Sequence, residues 1–290
     1  MAMVDHTSQP TVLVAGCGKL GGRIAQANTH RAQVYGLRRN PDRVPEGVTP
    51  IAADLTRPET LASVLPDTID VLVYCLTPAS YDDIGYHNAY VRGLQNLLDA
   101  LGSRTLKRLI FVSSTSVYAQ DDDSWVDETS PTEPGRYSGQ AILEGERLAL
   151  ESGHPATVVR FSGIYGPSRQ RFLEEVLEGR MDPQRPAPFS NRIHEDDAEG
   201  VVSHLISESL AGHALEPIYV ASDSEPVRLD DVVDWVRAQV PCKAPVEGAR
   251  KGGRAGSKRC SNRRLLGSGY KLKYPDYKAG YREMIQKLDR

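Results

Sequence analysis

The chain has 290 residues and a mass of 31.8 kDa, with 40% hydrophobic and 25% charged residues. These values are typical of globular chains and exclude wholly disordered, collagen-like and coiled-coil proteins. No run approaches the roughly 20 apolar residues that a membrane-spanning helix needs. From the polar start, residues 1–10, we predict a disordered leader on a cytoplasmic protein with no membrane segment.

The net charge of −3 is unevenly distributed. Residues 243–273 contain ten Lys or Arg and one acid, Glu247, so this segment carries +9 and the rest carries −12. A basic segment attracts anions, among them nucleic acids and phosphorylated small molecules. Because only Tyr270 and Tyr274 are available for stacking and no recognition helix is evident, we predict a small anionic substrate and no nucleic acid.

Short apolar runs alternate with helical patterns along the first 166 residues. Each run is apolar on both faces, which predicts a doubly wound α/β fold of Rossmann type, a parallel sheet covered by helices on both sides. The predicted strands are 11–15, 34–37, 51–52, 70–75, 108–112 and 157–161, and the predicted helices are 23–29, 58–65, 86–101 and 139–151.

The rhythm changes after Gly166-Pro167, where prolines become dense. Helices at 195–209, 229–239 and 277–288 and a strand at 218–221 are predicted there. We therefore predict a Rossmann domain over 11–166 and a smaller substrate-binding lobe over 167–290, with residues near 193–222 returning to the first domain.

A glycine motif, Gly16-x-Gly18-x-x-Gly21, lies directly between the first predicted strand and a predicted helix. The first glycine permits a tight turn, the second lets the backbone approach a pyrophosphate, and the third lets helix and strand pack closely. The helix N-terminus then faces the phosphates. The strand–turn–helix context favours a dinucleotide site over a purely structural turn. The predicted contacts are Gly16, Cys17, Gly18, Lys19, Leu20 and Gly21.

The end of the second predicted strand indicates which dinucleotide is bound. Enzymes that use NAD place an acid there for the ribose 2′-hydroxyl, whereas enzymes that use NADP place an arginine. Here Arg38 and Arg39 occupy this position, and the first acid is Asp42. A guanidinium binds a 2′-phosphate that a carboxylate would repel. We predict NADP with NADPH preferred over NADH, although a solvated strand end is the alternative reading of the two arginines.

Metal and disulfide sites are not predicted. The four cysteines, Cys17, Cys75, Cys242 and Cys260, have no CxxC spacing, which argues against a disulfide framework and a zinc site. The run Asp121-Asp122-Asp123 is more typical of a solvated loop, because near-adjacent carboxylates do not easily converge on one ion.

Several motifs resemble the extended short-chain dehydrogenase/reductase superfamily, which includes the NAD-dependent epimerase/dehydratase family. The residues that carry the resemblance are Asp54-Leu55, Cys75-Leu76-Thr77-Pro78, Tyr90-Val91-Arg92-Gly93 with Asn96-Leu97-Leu98, Ser113-Ser114-Thr115-Ser116-Val117-Tyr118, RFSGIYGP from Arg160 to Pro167, and His194-Glu195-Asp196-Asp197. The segment 258–274 is similar to an atypical subgroup, the YeeZ-like proteins. Two departures are Ala15, where these enzymes usually have glycine, and Tyr90, where they have asparagine.

The resemblance assigns roles to individual residues. It implies that Ser114 and Tyr137 are catalytic, and that the cofactor also contacts Asp54, Leu55, Cys75, Leu76, Thr77, Ser113 and Phe161. Thr115, Trp125 and Arg192 are the candidate substrate contacts. A structural role remains the alternative for each of Ser114, Tyr137, Trp125 and Arg192. The resemblance also implies that helices 86–101 and 139–151 can form the interface of a homodimer.

One departure bears on the chemistry. The family's Y-x-x-x-K pair is represented by Tyr137, but the lysine position is Ala141, and residues 108–242 contain no lysine. An unperturbed phenol has a pKa near 10, so forming phenolate at pH 7 costs roughly 4 kcal/mol. A reductase needs the neutral phenol as an acid and loses less than an oxidation would. We expect an NADP-dependent reductase or epimerase-like enzyme for a small polar substrate, nucleotide-linked substrates included. A non-catalytic NADP(H)-binding regulator is the alternative.

Overall fold

The computed structural model describes residues 9–252 and 256–288. The predicted leader at 1–10 lies almost wholly outside these residues. The chain forms two compact units that interleave along the sequence. The first comprises Met1–Val112, Glu144–Val158 and Val202–Pro217, and the second comprises Ser113–Leu143, Val159–Val201 and Ile218–Arg290. The predicted division into a cofactor domain and a substrate lobe at residue 166 stays a prediction.

The strands include every predicted one and several short ones that were not predicted. They are β1 (Thr11–Ala15), β2 (Gln33–Arg38), β3 (Thr49–Ala52), β4 (Val71–Tyr74), β5 (Arg108–Ser114), β6 (Ser124–Val126), β7 (Ala156–Phe161), β8 (Gly163–Tyr165), β9 (Phe189–Ser190), β10 (Arg192–His194), β11 (Ile218–Ala221), β12 (Val227–Arg228) and β13 (Lys258–Cys260).

The α-helices are α1 (Lys19–Ala27), α2 (Asp83–His87), α3 (Gly93–Leu101), α4 (Tyr137–Leu150), α5 (Arg171–Leu177), α6 (Glu195–Leu210), α7 (Leu229–Gln239), α8 (Arg263–Gly267) and α9 (Tyr277–Gln286). None of the helices described in the structure is long and apolar enough to cross a membrane.

The central sheet has seven strands in the order β11-β7-β5-β4-β1-β2-β3. Strand β1 pairs in parallel with β2 and β4, and the parallel pairing continues outward to β3 and β5. Apolar side chains on both faces of β1 explain its central place, because Val12, Leu13 and Val14 are fully buried. The predicted doubly wound α/β fold of Rossmann type is confirmed.

The predicted helix at 58–65 is wrong. Only a 3₁₀ turn, Pro58–Thr60, forms there. The Thr60 hydroxyl donates to the carbonyl oxygens of Asp54 and Arg57, at 3.0 and 2.8 Å, and accepts from the Asp54 N–H at 3.0 Å. Such side-chain bonds compete with helical ones, and a segment of this length has little helical stability of its own.

The predicted helix at 86–101 is interrupted by a π-helical turn, Asn88–Arg92, between α2 and α3. This turn widens the helix by one residue and changes its hydrogen bonds. The Tyr74 hydroxyl on β4 donates to the Ala89 carbonyl at 2.5 Å. A Cβ on Gly93 would lie 2.7 Å from that hydroxyl, so glycine lets the interrupted helix approach β4 closely.

The second unit contains three two-stranded pairings and its own apolar core. Strand β8 pairs in parallel with β10, β6 pairs in parallel with β13, and β9 pairs antiparallel with β12. The core brings together residues of α5, α7 and α9, among them Val176, Val233, Tyr277 and Met284. Burial of apolar area at roughly 25 cal/mol per Å² holds these helices together.

The basic segment, residues 243–273, is held by acids of the same unit. Ion pairs join Lys243 to Glu178, Arg250 to Glu175, Lys251 to Asp182, Arg264 to Glu128, and Lys273 to Asp196. The buried Asp197 also accepts bonds from the hydroxyl of Tyr270 and from the backbone N–H groups of Lys273 and Tyr274. Much of the segment's charge is therefore balanced within the fold.

Candidate functional site

The glycine motif forms a tight loop between β1 and α1. The N–H groups of Gly16 and Cys17 both donate to the Leu37 carbonyl, each at 3.0 Å. Gly16 has a φ of +95°, and a Cβ there would lie 2.3 Å from the Cys75 oxygen. A Cβ on Gly21 would lie 2.2 Å from the Gly16 oxygen. Both positions therefore require glycine for the loop to form.

Gly18 differs from these two glycines. A Cβ there would meet nothing closer than the Gly16 oxygen at 3.9 Å. Gly18 is the N-cap of α1, where no side chain bonds to the helix and no acid occupies the first turn. The first backbone N–H groups of a helix lack partners within the helix and attract anions. The loop thus presents a backbone surface that an anion can approach.

A cavity of about 590 Å³ opens beside this loop within the first unit. The predicted cofactor contacts in its lining are Gly16, Cys17, Gly18, Arg38, Arg39, Asp54, Leu55, Cys75, Leu76 and Thr77, and the unpredicted members are Leu37, Asn40, Arg43, Ala53, Thr56, Ala79, Ser80, Gly85, Asn88 and Ala89. The predicted contacts Lys19, Leu20 and Gly21 belong to α1 and are not among the lining residues, and Ser113 and Phe161 are buried in the second unit.

Three arginines line the end of the cavity beside β2: Arg38, Arg39 and Arg43. One terminal nitrogen of Arg38 donates to the carbonyl oxygens of Cys17 and Arg43, each at 3.0 Å. Arg38 therefore ties the glycine loop to the turn after β2 as well as bringing a positive charge to the cavity.

Arg43 was missed in the sequence, although a turn signal precedes it. The Asn40 side chain accepts from the Asp42 N–H at 3.1 Å and caps the 3₁₀ turn Pro41–Arg43. An asparagine followed by proline is typical of such a turn, which folds the chain back. The turn could have been predicted, and with it the return of Arg43 toward Arg38.

Asp54 is the single acid in this cavity lining. Burial works to raise its pKa, but hydrogen bonds from Thr56 and the nearby Arg39 and Arg57 outweigh burial, so the pKa is lowered. Its carboxylate accepts from the N–H and hydroxyl of Thr56 at 3.0 and 2.8 Å. Asp54 is thus an ionised, fixed acceptor in a cavity where positive charge prevails.

Asn88 enters the lining through the π-helical turn. The sequence contains no signal for this turn, because its pattern fits a continuous helix. Tyr90, which stands where the resembling enzymes have asparagine, packs instead on Tyr86 and Phe111, with ring centroids 5.8 and 6.3 Å apart. Asn88, two positions before Tyr90, therefore contributes to the cavity lining.

Ser114 ends β5 and begins a 3₁₀ turn, Thr115–Val117, in the second unit. Its hydroxyl oxygen accepts from the Ser116 N–H at 3.1 Å. A hydroxyl that accepts one hydrogen bond retains a proton to donate. Ser114 therefore caps the turn, and the same hydroxyl still has a donor for a substrate oxygen.

Tyr137 is the first residue of α4, and its side chain is 41% exposed. A Cβ on Gly139 would lie 2.7 Å from the Ser116 oxygen, so the first turn of α4 packs closely on the turn after Ser114. Ala141, one helical turn beyond Tyr137, is buried. The second unit thus packs the helix turn that follows Tyr137 against the turn after Ser114, and the side chain one helical turn beyond Tyr137 is apolar.

The three predicted substrate contacts lie in different surroundings of the second unit. Thr115 hydrogen-bonds to the Cys260 thiol. Trp125 is 56% exposed, with the Arg259 guanidinium 5.2 Å from its ring centroid. Arg192 is buried among the rings of Phe172, Tyr277 and Tyr281. Trp125 is thus open to a ligand, whereas Arg192 is enclosed by aromatic side chains.

A buried acid lies near Arg192. The Asp223 N–H donates to the Arg192 carbonyl at 2.7 Å, and its Oδ2 has no hydrogen-bond partner among the described residues. Burial raises the pKa of Asp223 to about 8, although Arg192 opposes this rise. The carboxyl group is therefore largely protonated at neutral pH.

Comparison with known proteins agrees with this architecture. The model of the NAD dependent epimerase/dehydratase family matches residues 12–182, more than half of the chain. A solved structure from Methylobacillus flagellatus, described as a "putative NAD-dependent epimerase/dehydratase", is 37% identical. It covers 98% of this chain and 100% of its own, with a TM-score of 0.83.

Two curated relatives are more distant. Protein YeeZ of Escherichia coli K12 is 29% identical over 214 residues, which cover 70% of this chain and 75% of YeeZ. A 3-diazoavenalumate denitrifying reductase from a Streptomyces species is 27% identical over 223 residues, 69% of this chain and 73% of the reductase. The relatives of this chain thus include a protein named as a reductase.

Proposed function

The chain belongs to the NAD dependent epimerase/dehydratase family, and we propose that within it the protein is an NADPH-dependent reductase of a small polar, anionic substrate. The observation that carries this proposal is the cavity of the first unit, which joins a glycine loop, an open helix N-terminus and three arginines beside β2. A dinucleotide with an additional 2′-phosphate matches that distribution of positive charge better than one without it.

The preference for NADPH is tested by measuring the affinities of NADPH and NADH by calorimetry. We expect NADPH to bind at least about tenfold more tightly, because a charge-assisted hydrogen bond contributes roughly 1.5–3 kcal/mol. Arg38→Ala and Arg39→Ala should each reduce the ratio of the two affinities. Arg38→Ala should also weaken both ligands, because Arg38 holds the Cys17 and Arg43 carbonyls.

The ratio of NADPH affinity to NADH affinity separates the two roles of Arg38. Loss of its charge lowers this ratio, whereas a disturbed glycine loop weakens the binding of both dinucleotides alike. Arg57→Ala is the matched control, since Arg57 acts on Asp54 but lies outside the described cavity lining. Equal affinities of the unaltered protein for NADPH and NADH would contradict the proposed preference.

The second unit supplies the groups for carbonyl reduction. NADPH, when bound, supplies the hydride. In this proposal the Tyr137 hydroxyl donates a proton to the substrate oxygen. The Ser114 hydroxyl donates a hydrogen bond to the same oxygen as negative charge develops on it. Hydride on carbon and a proton on oxygen together convert the carbonyl to an alcohol. Thr115, Trp125 and Arg192 remain the proposed substrate contacts.

Ala141 favours the reductive direction in this proposal. Reduction of a carbonyl needs a proton donor, whereas oxidation and epimerisation need a base, and a lysine one helical turn from a tyrosine favours the base form. The buried methyl group of Ala141 provides no cation one turn from Tyr137.

Tyr137→Phe should lower kcat for NADPH-dependent reduction of the best substrate in a carbonyl panel by about 10²–10⁴-fold. NADPH affinity should stay within about twofold, because this change removes one hydroxyl from the second unit only. Tyr35→Phe, a half-buried position on β2, is the control for loss of a phenol elsewhere. If kcat is unchanged in Tyr137→Phe, Tyr137 has no role in the mechanism.

The same panel decides between an enzyme and a regulator. Tight NADPH binding without oxidation of NADPH by any carbonyl substrate would favour a non-catalytic NADP(H)-binding protein. Ala141 is the observation that keeps this second function open, because the position one turn after the tyrosine carries no charge.

A further inference from the structure

A buried lysine, Lys258, lies on β13 in the second unit. Its side chain is only 3% exposed. Strand β13 pairs in parallel with β6, so that Lys258 is opposite Ser124, Arg259 is opposite Trp125, and Cys260 is opposite Val126. Fully buried positions of a strand are usually occupied by apolar side chains, so a lysine at such a position of β13 requires an explanation.

The two faces of this ribbon differ. Arg259 packs on the Trp125 ring and donates from Nε to the Asp123 carbonyl at 2.8 Å. Lys258 and Cys260 point to the opposite face, because side chains alternate along a strand. The Cys260 thiol hydrogen-bonds to Thr115. The face that carries Lys258 is thus the one that meets the turn after Ser114.

The lysines of the basic segment are not alike. Lys243, Lys251 and Lys273 each pair with a carboxylate. Among the described residues no carboxylate forms an ion pair with Lys258. The carboxylate whose charge acts on Lys258 is that of Asp121, and its Oδ1 is already bonded to the Ser257 N–H at 2.6 Å.

Asp123, which precedes the residue opposite Lys258, is also engaged. Asp123 accepts from Arg228 Nη2 at 2.7 Å and from Arg259 through its carbonyl oxygen. Burial lowers the pKa of Lys258, and Asp121 and the Cys260 thiol only partly offset this effect. Burying the charge of an ammonium group is costly without an ionic partner, so binding of an anion would stabilise Lys258.

We propose that the Lys258 ammonium binds an anionic group of the substrate, a carboxylate or a phosphate, next to the turn that carries Ser114 and Thr115. This proposal rests on the proposed function for its substrate, and it names the residue that recognises the substrate's charge. Lys258 is a binding residue here, and no proton transfer is assigned to it.

Thermal unfolding with simple anions tests the proposal independently of turnover. Inorganic phosphate and acetate, at about 50 mM, are compared with sodium chloride at equal ionic strength, with saturating NADP⁺ present to occupy the cavity of the first unit. We expect one of the two anions to raise the Tm by about 5 °C relative to chloride. The larger response distinguishes a phosphate-bearing from a carboxylate-bearing substrate.

Lys258→Met should abolish this response, because methionine fills similar space without charge. Its Tm without added anion should equal or exceed that of the unaltered protein, since a buried unpaired charge has been removed. Lys258→Arg should retain the response, and Lys271→Met, at an exposed lysine of the same segment, should leave it unchanged. If Lys258 only stabilised the fold, Lys258→Met would have a lower Tm and would respond to anions as the unaltered protein does.

Two results would overturn the proposal: equal anion responses of Lys258→Met and the unaltered protein, or no stabilisation beyond chloride by either anion. If Lys258→Met does not fold, NMR of the ¹³C-lysine-labelled unaltered protein decides, with Lys258→Arg giving the assignment. The pKa of Lys258 must then rise when the anion is added. Failure of NADP⁺ to bind would contradict the proposed function and leave these anion measurements interpretable.

Discussion

Replacing Gly18 with alanine is expected to leave the Tm of the ligand-free protein almost unchanged and to weaken NADPH binding by about 10–100-fold. The added methyl group would meet no atom closer than 3.9 Å within the protein. It would, however, stand between the backbone of the loop and an approaching pyrophosphate. Losing charge-assisted hydrogen bonds to the phosphates costs roughly 1.5–3 kcal/mol, which corresponds to this fold-change.

Gly21→Ala is the informative partner of this change. Its methyl group would lie 2.2 Å from the Gly16 oxygen, so the backbone must move. Overpacking of this kind costs about 1–3 kcal/mol or more, and a chain of this size loses about 2–4 °C of Tm per kcal/mol. Gly21→Ala should therefore lower both Tm and affinity, whereas Gly18→Ala lowers affinity alone.

Differential scanning calorimetry and titration calorimetry measure the two quantities on the same preparations. If Gly18→Ala binds NADPH as tightly as the unaltered protein, the glycine loop is not part of the dinucleotide site. A Gly18→Ala protein with a Tm as low as that of Gly21→Ala would show that packing, and not ligand approach, requires glycine at residue 18.

The buried carboxyl group of Asp223 is expected to make the stability of the protein depend strongly on pH. Asp223 is almost fully buried, and burial raises the pKa of its carboxyl group to about 8, against 3.8 for an ordinary aspartate. The folded state therefore binds this proton more tightly than the unfolded state. The resulting stabilisation is complete below about pH 4 and is lost as the pH rises through about 8, by an amount on the order of 5 kcal/mol.

Asp223→Asn should remove this pH dependence, because the amide keeps the shape of the protonated acid without ionising. The difference in unfolding free energy between the variant and the unaltered protein is expected to grow in favour of the variant from pH 5 to pH 9. Urea unfolding at a series of pH values measures it. Asp231→Asn, at an exposed aspartate of α7, is the matched control for the same chemical change.

A constant difference across this pH range would contradict the burial argument for Asp223. The neighbouring charges that could cause such a result are Arg192, Glu225 and Asp276, which act on this carboxyl group from three parts of the second unit. Arg192 would need to approach Asp223 closely enough to keep it ionised at neutral pH.

The first unit was largely predictable because its elements follow from local patterns. Continuous apolar runs identify β1, β2 and β4, and the spacing of Gly16, Gly18 and Gly21 identifies the turn that follows β1. The cavity then brings the predicted residues after β2, β3 and β4 together, since the carboxyl ends of parallel strands meet at one edge of the sheet.

The second unit depends on pairs that are distant in the sequence. Residues of β6 and β13 are separated by more than 130 positions, and neither strand has a pattern of its own beyond three residues. The ion pairs of the basic segment with acids of α5 and α6 join residues that are 75 or more positions apart. Local preferences cannot identify such partners, so Lys258 could be listed among cationic residues but not recognised as a buried one.

The widened turn between α2 and α3 has a consequence for how relatives should be compared with this chain. It adds one residue to the rotation of a helix, and each residue of an α-helix turns the side-chain direction by about 100°. If a relative has a regular α-helix here, an ungapped alignment through Asn88–Arg92 equates side chains that point in different directions on one side of the bulge. Against such a relative, a one-residue gap in this turn restores the match of side-chain directions, and the residue compared with Tyr90 changes with it.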